Sequence, residues 1–176
     1  MMTGRALPSL SATAVVTAQL GRAPRGKWWV ETTCRFGFPQ VIGTPPALRD
    51  GTPFPTLFWL TCPWLVASVG AAESGGATGV WASRLAADAS ISRRLRDSDE
   101  RYRARRAREG GGADPCAPVG IAGQRDPAAT KCLHAHVAAA LAGIDDPIGV
   151  ETLGGSGPDC AEGRCASLLG AVEDSR

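Results

Sequence analysis

Cysteines are the residues of this 176-residue chain best suited to chemistry, and there are six of them. Four thiolates around one ion are the ligands that structural zinc and iron–sulfur clusters prefer. The cysteines are spread along the chain, and no two are separated by only two residues as in a zinc ribbon. Cys160 and Cys165, with four residues between them, come nearest to such a spacing. The pattern therefore indicates a metal site without identifying the metal.

One metal ion is predicted to bind four of these thiols. The predicted ligands are Cys34, Cys62, Cys132 and Cys165. Cys160 or His136 could replace the fourth ligand. His136 qualifies because residues four apart share a helix face with Cys132, whereas His134 would point to the opposite side of a regular helix. The alternative interpretation is that the cysteines are small buried hydrophobic side chains, and Cys116 in its glycine-rich segment is interpreted in that way.

Basic residues form a second candidate site, for a small anion such as phosphate. The candidates are Arg22, Arg25, Arg49, Lys131 and His134. A helix predicted to begin near Asp126 would add its positive N-terminal end. Solvated turn residues are the alternative reading of the same side chains. A cysteine–histidine enzyme is less favoured, because no catalytic motif surrounds Cys132 and no acid is identified to orient a histidine.

The composition predicts one folded domain in a reducing compartment. The chain is 44% hydrophobic and 20% charged, and its net charge of +2 gives no reason to expect a nucleic-acid partner. The longest apolar run, residues 57–69, is too short and too interrupted to span a membrane. No dense apolar stretch follows Arg5, so a cytoplasmic location with reduced thiols is predicted.

Three β-prone segments precede the helical part of the chain. Strands are predicted over residues 27–33, 40–44 and 56–61, which are rich in aromatic and β-branched side chains and are separated by turn residues. Pro63 suits the first position of a helix, so Cys62 is expected at a junction between a strand and a helix.

Helices are predicted from their boundary residues and apolar spacing. They cover residues 11–20, a segment from Pro63 to about residue 73, residues 80–108 with a break near Ser90, and a segment from Asp126 to Gly143. Residues 150–176 are predicted to be loop-like. The expected fold is α+β, with a small antiparallel sheet of about three strands packed with four or five helices. Residues 20–170 would form the single domain, after an N-terminal extension or peripheral helix (1–19) and before a tail (171–176).

Several segments together resemble a known bacterial family. They are LGRAPRG (20–26), the C-x-x-G-x-P segment 34–39, LRDGTPFPTLFWLTCP (48–63), TKCLHAH (130–136) and DPIG (146–149), followed by a cysteine-bearing C-terminal part. On these segments the chain resembles domain-of-unknown-function family 501. The resemblance implies a small bacterial cytoplasmic protein encoded near an exopolyphosphatase-type enzyme. It implies no established activity.

The favoured function is a non-enzymatic, metal-stabilised interaction or regulatory protein, with zinc or an iron–sulfur cluster and an unidentified protein partner. One alternative is an enzyme or sensor that acts on a phosphorylated small molecule or polyphosphate. Another is a thiol redox switch that uses Cys160 and Cys165.

Overall fold

The β-prone segments form one antiparallel sheet in the computed structural model, which describes residues 11–126 and 129–173 and the side chains of those residues up to 169. The strands are β1 (Trp29–Thr33), β2 (Pro39–Gly43) and β3 (Phe58–Leu60). They are ordered β1-β2-β3, so the middle strand β2 is buried along its whole length. In the register, Val30 lies opposite Ile42, and Val41 lies opposite Leu60. The predicted small antiparallel sheet is thus confirmed.

Seven α-helices complete the described part of the fold. They are α1 (Ala12–Leu20), α2 (Pro63–Ser74), α3 (Ala77–Ala87), α4 (Ala89–Glu109), α5 (Leu133–Leu141), α6 (Pro147–Ser156) and α7 (Arg164–Glu173), with a short 3-10 helix at Ile121–Gly123. The combination is α+β, as predicted. None of the helices in the described ranges is long and apolar enough to cross a lipid bilayer.

The boundaries of the first four helices follow local signals in the sequence. The Ser11 hydroxyl accepts a hydrogen bond from the Ala14 amide at the start of α1. Cys62 precedes α2, whose first residue is Pro63. The break predicted near Ser90 falls at Asp88, whose carboxylate accepts hydrogen bonds from the first amides of α4. The segment 80–108 is therefore two helices.

The C-terminal half departs from the prediction in two places. Helix α5 begins at Leu133 and not near Asp126, and the predicted first-turn residue Pro127 lies outside the described residues. The segment predicted as a loop, residues 150–176, contains most of α6 and all of α7. Asp146 caps α6 by accepting from two backbone amides, and α6 packs against α5. Tertiary burial thus outweighs the low helix propensity of the glycines.

Helix α5 lies at the centre of the core. It packs against α6, the sheet and α2, and four of its residues are fully buried: Leu133, Val137, Ala138 and Ala139. Helix α1, predicted to be peripheral, packs against α7 and β2, and Val16 is fully buried there. The two helices on either side of the metal-ligand candidates, α2 and α5, are therefore held firmly by the core.

The close contact between α5 and α6 depends on Gly149. A Cβ atom at this position would overlap the backbone carbonyl of His136. We expect Gly149→Ala to lower the free energy of unfolding by about 1–3 kcal/mol, because overpacking forces the two helices apart. Gly154→Ala is the matched control, since a Cβ there meets open space and alanine favours the helix. In urea denaturation, the free energy of unfolding should fall in Gly149→Ala and rise in Gly154→Ala. Equal changes in the two variants would contradict the steric explanation.

Candidate metal centre

Cys132 and His134 come together because Cys132 stands just before helix α5. Its backbone is extended, with φ −150° and ψ 110°, and the helix begins at Leu133. The side chain is therefore free of the helical geometry that would direct it away from His134. The Cys132 Sγ lies 3.9 Å from the His134 Nδ1. The prediction that these two side chains point to opposite sides assumed that both lie within a helix, and it was wrong for that reason.

Glu73 brings a carboxylate to the same place from the last turn of α2. Its Oε2 lies 3.2 Å from the His134 Nδ1. Its Oε1 accepts a hydrogen bond of 2.6 Å from the Leu133 amide at the N-terminal end of α5, where helix amides lack helical partners. The side chains of Glu73 and His134 are about one quarter exposed, at 26% and 28%. The carboxylate is thus fixed in direction but still reachable from solvent.

Glu73, Cys132 and His134 are the one group of three metal-ligating side chains in the described ranges whose ligand atoms all lie within 4.8 Å of one another. In tetrahedral zinc with ordinary bond lengths, nitrogen and oxygen ligands are about 3.3 Å apart, and sulfur and nitrogen ligands about 3.6 Å apart. The separations of 3.2 Å and 3.9 Å around His134 Nδ1 are close to these values. The three side chains could therefore bind one zinc ion with small adjustments.

The hydrogen bond at the far side of the His134 ring determines which ring nitrogen can offer a lone pair to a metal ion. The Nε2 lies 3.1 Å from the Val66 carbonyl oxygen, which can only accept, so Nε2 carries a proton and donates it. In the neutral ring, Nδ1 then presents its lone pair to the Glu73 carboxylate and the Cys132 thiol. A nitrogen lone pair and a carboxylate 3.2 Å apart repel each other unless a cation lies between them. That cation is either a second proton on the ring or a metal ion.

The contacts around the three side chains resemble the outer shell of a metal site. Histidine ligands usually donate their second ring N–H to a carbonyl or carboxylate, and ligating carboxylates are themselves hydrogen-bonded. Val66 supplies the carbonyl for His134, and the Leu133 amide supplies the donor for Glu73. Both side chains are thus held in orientations that suit metal ligands.

His136, the predicted substitute ligand, faces another part of the protein. It is 2% exposed, and its Nδ1 lies 2.6 Å from the Asp146 Oδ2. The same aspartate caps α6 through its other oxygen. His136 therefore joins α5 to α6, and it lies on the side of α5 that the core covers.

The remaining predicted thiol ligands lie in a different region from Cys132. Burial raises the pKa of the Cys62 thiol, and the nearby thiols of Cys165 and Cys160 raise it further. Burial also raises the pKa of the Cys165 thiol, and Cys34 and Cys160 add to that effect. These four thiols are thus neighbours, and their role as metal ligands stays a prediction. Cys116 is buried elsewhere, with its thiol 3.8 Å from the Pro46 carbonyl oxygen.

The predicted anion-binding residues lie on exposed parts of the chain. Arg22, Arg25, Arg49 and Lys131 are solvent-exposed, and His134 belongs to the metal-ligand group. A shallow pocket of about 180 Å³ beside α4 does contain arginines, but they are different ones: Arg96, Arg103 and Arg125. Asp99 and Glu100 share this pocket, so its charge is mixed. Binding of an anion by the predicted residues stays a prediction.

A family model for proteins of unknown function, DUF501, matches residues 30–154. The chain belongs to the DUF501 family. The match confirms the resemblance seen in the sequence. Comparisons with curated proteins and with solved structures give no match. The DUF501 match includes Glu73, Cys132 and His134, together with Cys34 and Cys62, whereas Cys160 and Cys165 follow its last residue.

Within the DUF501 region, Glu73 is the residue that the sequence did not reveal as a candidate ligand. It ends an otherwise apolar helical segment, WLVASVGAAE, some sixty residues before Cys132. No spacing rule connects the two positions. The available signal was chemical: an acid at the end of a half-buried helix needs a partner, and the short Cys-x-His segment could provide one.

Proposed function

We propose that this protein is a metal-binding regulatory protein whose functional ion is zinc held by Glu73, Cys132 and His134. The observation that carries the proposal is the grouping of the three ligand atoms within 4.8 Å of one another, with the two separations from His134 Nδ1 close to those of tetrahedral zinc. The ligand types agree with this choice of metal. Zinc accepts thiolate, imidazole and carboxylate together, whereas magnesium and calcium require oxygen ligands.

Three protein ligands leave the fourth position of a tetrahedral ion free. Structural zinc sites are normally closed by four protein side chains, and sites that exchange ligands keep one position open. The partial exposure of Glu73 and His134 gives solvent or a partner side chain access to that position. An ion here would link the end of α2 to the start of α5, so its occupancy would control how tightly residues just before α5 are held.

A thiol–histidine enzyme is less well supported by the same geometry. Such enzymes use one ring nitrogen to activate the thiol and the other to contact an orienting acid. In His134, Nδ1 faces both the thiol and the carboxylate, while Nε2 donates to the Val66 carbonyl. One proton on Nδ1 can form a short hydrogen bond with only one of these two groups at a time, whereas a shared ion can contact all three ligand atoms.

The chain's two histidines provide a direct test, because imidazole NMR signals can be followed separately during a zinc titration. In tag-free protein purified without oxygen, we expect zinc to shift the His134 signals and to leave those of the buried His136 nearly unchanged. Glu73→Gln removes one charged ligand, so it should weaken the zinc affinity reported by His134 by more than the roughly 10–100-fold that loss of an outer-shell contact costs.

Glu100→Gln, which changes an exposed carboxylate on α4, is the matched control and should titrate as the wild type does. If zinc leaves the His134 signals unchanged, or if Glu73→Gln and Glu100→Gln bind zinc equally, the proposed site is wrong. In that case the cation between His134 and Glu73 is a proton, and the contact is an ordinary ion pair.

A further inference from the structure

Four thiols gather where the C-terminal segment meets the sheet, away from the Glu73 site. Cys62, Cys160 and Cys165 are buried, and Cys34 is half-buried. Cys34 packs against a small apolar cluster that contains Cys165 and Phe38. The cluster joins parts of the chain that are more than a hundred residues apart.

Hydrogen bonds hold the segment before α7 against the two N-terminal cysteines. The amide of Arg35, the residue after Cys34, donates to Asp159, and the Arg35 guanidinium donates to the Cys160 carbonyl at 3.1 Å. Gln40 accepts from the Cys62 amide through its backbone carbonyl, and its side chain donates to the Pro158 carbonyl. The backbones that carry Cys34, Cys62 and Cys160 are thus fixed relative to one another.

The electrostatic interactions among the four thiols agree with their being close together. Besides burial, the thiols of Cys165 and Cys160 raise the pKa of Cys62, and those of Cys34 and Cys160 raise the pKa of Cys165. Each of the four thiols therefore interacts with at least one other. Backbone amides of Trp64 and Leu65, at the start of α2, also interact with the Cys62 thiol in the direction that favours a thiolate. Helix starts provide such amides to bound thiolates, because their N–H groups lack helical partners.

From this arrangement we propose a second metal site, in which Cys34, Cys62, Cys160 and Cys165 bind a structural zinc ion. No three of the four sulfur atoms lie within 4.8 Å of one another, so binding of one ion would require their side chains to rotate towards a common point. The set differs from the predicted one in that Cys160 replaces Cys132. A closed four-thiolate site is the structural type, in contrast to the open site at Glu73.

The site would stabilise a part of the protein whose apolar cluster, as far as its side chains are described, is small. Among the described side chains, the buried members of its cluster are Val15, Phe38, Cys165 and Leu169. Zinc binding at thiolates releases their protons and contributes directly to folding stability. We therefore expect removal of this ion to loosen α7 and α1, which pack against each other, before it affects the central core around α5.

Counting zinc in single variants distinguishes the two sites. Elemental analysis of protein purified without oxygen and dialysed should give two zinc ions per chain. Cys160→Ser should retain one, Cys132→Ser should retain one, and the double variant should retain none. Cys116→Ser changes a buried cysteine outside both groups and should retain two. Circular dichroism confirms that each variant is folded, and Cys34→Ser, at the half-buried position, replaces Cys160→Ser if the latter fails to fold.

The outcomes separate this inference from the proposed function. One zinc ion that is lost with Cys132→Ser but kept in Cys160→Ser overturns the four-thiol site alone. One zinc ion that is kept in Cys132→Ser but lost with Cys160→Ser overturns the Glu73 site and leaves the four-thiol site. Iron with visible absorbance, or a metal-free protein whose mass falls by two hydrogens on mild oxidation, overturns the assignment of zinc and indicates a cluster or a disulfide switch.

Discussion

Cys132→Ser is expected to abolish zinc binding at the Glu73 site under conditions where the wild-type site is saturated. The thiolate is the softest of the three ligands, and a serine hydroxyl is a poor zinc ligand that stays protonated near neutral pH. The loss should exceed the roughly 100-fold upper range for outer-shell changes. The His134 imidazole signals report the affinity at this site directly.

The pH dependence of zinc affinity provides a second test of Cys132→Ser, because zinc binding releases protons from its ligands. In the proposed site zinc would bind the thiolate, the neutral imidazole and the carboxylate, so its affinity should fall as the pH is lowered and protons compete for these groups. The wild-type affinity should therefore depend on pH more steeply than that of Cys132→Ser, which has one fewer thiol proton to release. Cys116→Ser is the control with unchanged affinity. Equal affinity and equal pH dependence in Cys132→Ser and wild type would exclude the thiol as a ligand.

Arg106→Leu is expected to cause the largest loss of stability, about 3–5 kcal/mol in the free energy of unfolding. Arg106 is fully buried on α4, although it lies in a strongly charged segment. It forms a bidentate pair with Asp114 at 2.7 and 2.8 Å, and it donates to the carbonyls of Pro55, Cys116 and Val119. Leucine would leave a largely buried carboxylate and three carbonyls without this partner.

The pH dependence of that loss follows from Asp114. Partial burial raises the pKa of this carboxyl, but the Arg106 guanidinium and the Cys116 amide outweigh burial and hold the pKa below the ordinary value of 3.8. A lowered folded-state pKa stabilises the fold at pH values above 3.8, and this contribution disappears as the pH falls through the lowered value. The difference in stability between wild type and Arg106→Leu should therefore shrink on acidification below pH 4.

Arg108→Leu supplies the matched control for urea denaturation. Arg108 lies two residues further along the same helix and is exposed, so its replacement should change stability by about 0.5 kcal/mol or less. If the two variants unfold at the same urea concentration, the buried arginine network does not stabilise the fold as described.

The strands and the first four helices could be predicted because their signals are local. Ser11, Pro63 and Asp88 each mark a helix start by their own chemistry, and the β-branched and aromatic residues of the sheet stand between turn residues. Helix α6 carries a similar signal in Asp146 and Pro147, but its glycines obscured it. Packing against α5 decides its conformation, and such packing is not visible in a single segment of sequence.

The candidate metal site was only partly predictable for a related reason. Cys132 was identified by its residue type, but its partners depend on where α5 begins, and a shift of that start to Leu133 exchanges His136 for His134. Glu73 comes from a separate helix, and no periodicity links it to Cys132. The buried Arg106 was hidden in the same way, because the charged segment around it resembles a solvated helix face.

A crystal structure of zinc-loaded protein, with anomalous diffraction recorded at the zinc absorption edge, tests the Glu73–Cys132–His134 site most directly. We expect an anomalous peak about 2.0–2.3 Å from the Glu73 carboxylate, the Cys132 Sγ and the His134 Nδ1, with the His134 Nε2 still donating to the Val66 carbonyl. Saturated crystals with no peak there, and with His134 Nδ1 hydrogen-bonded to Glu73, would contradict zinc binding at this site.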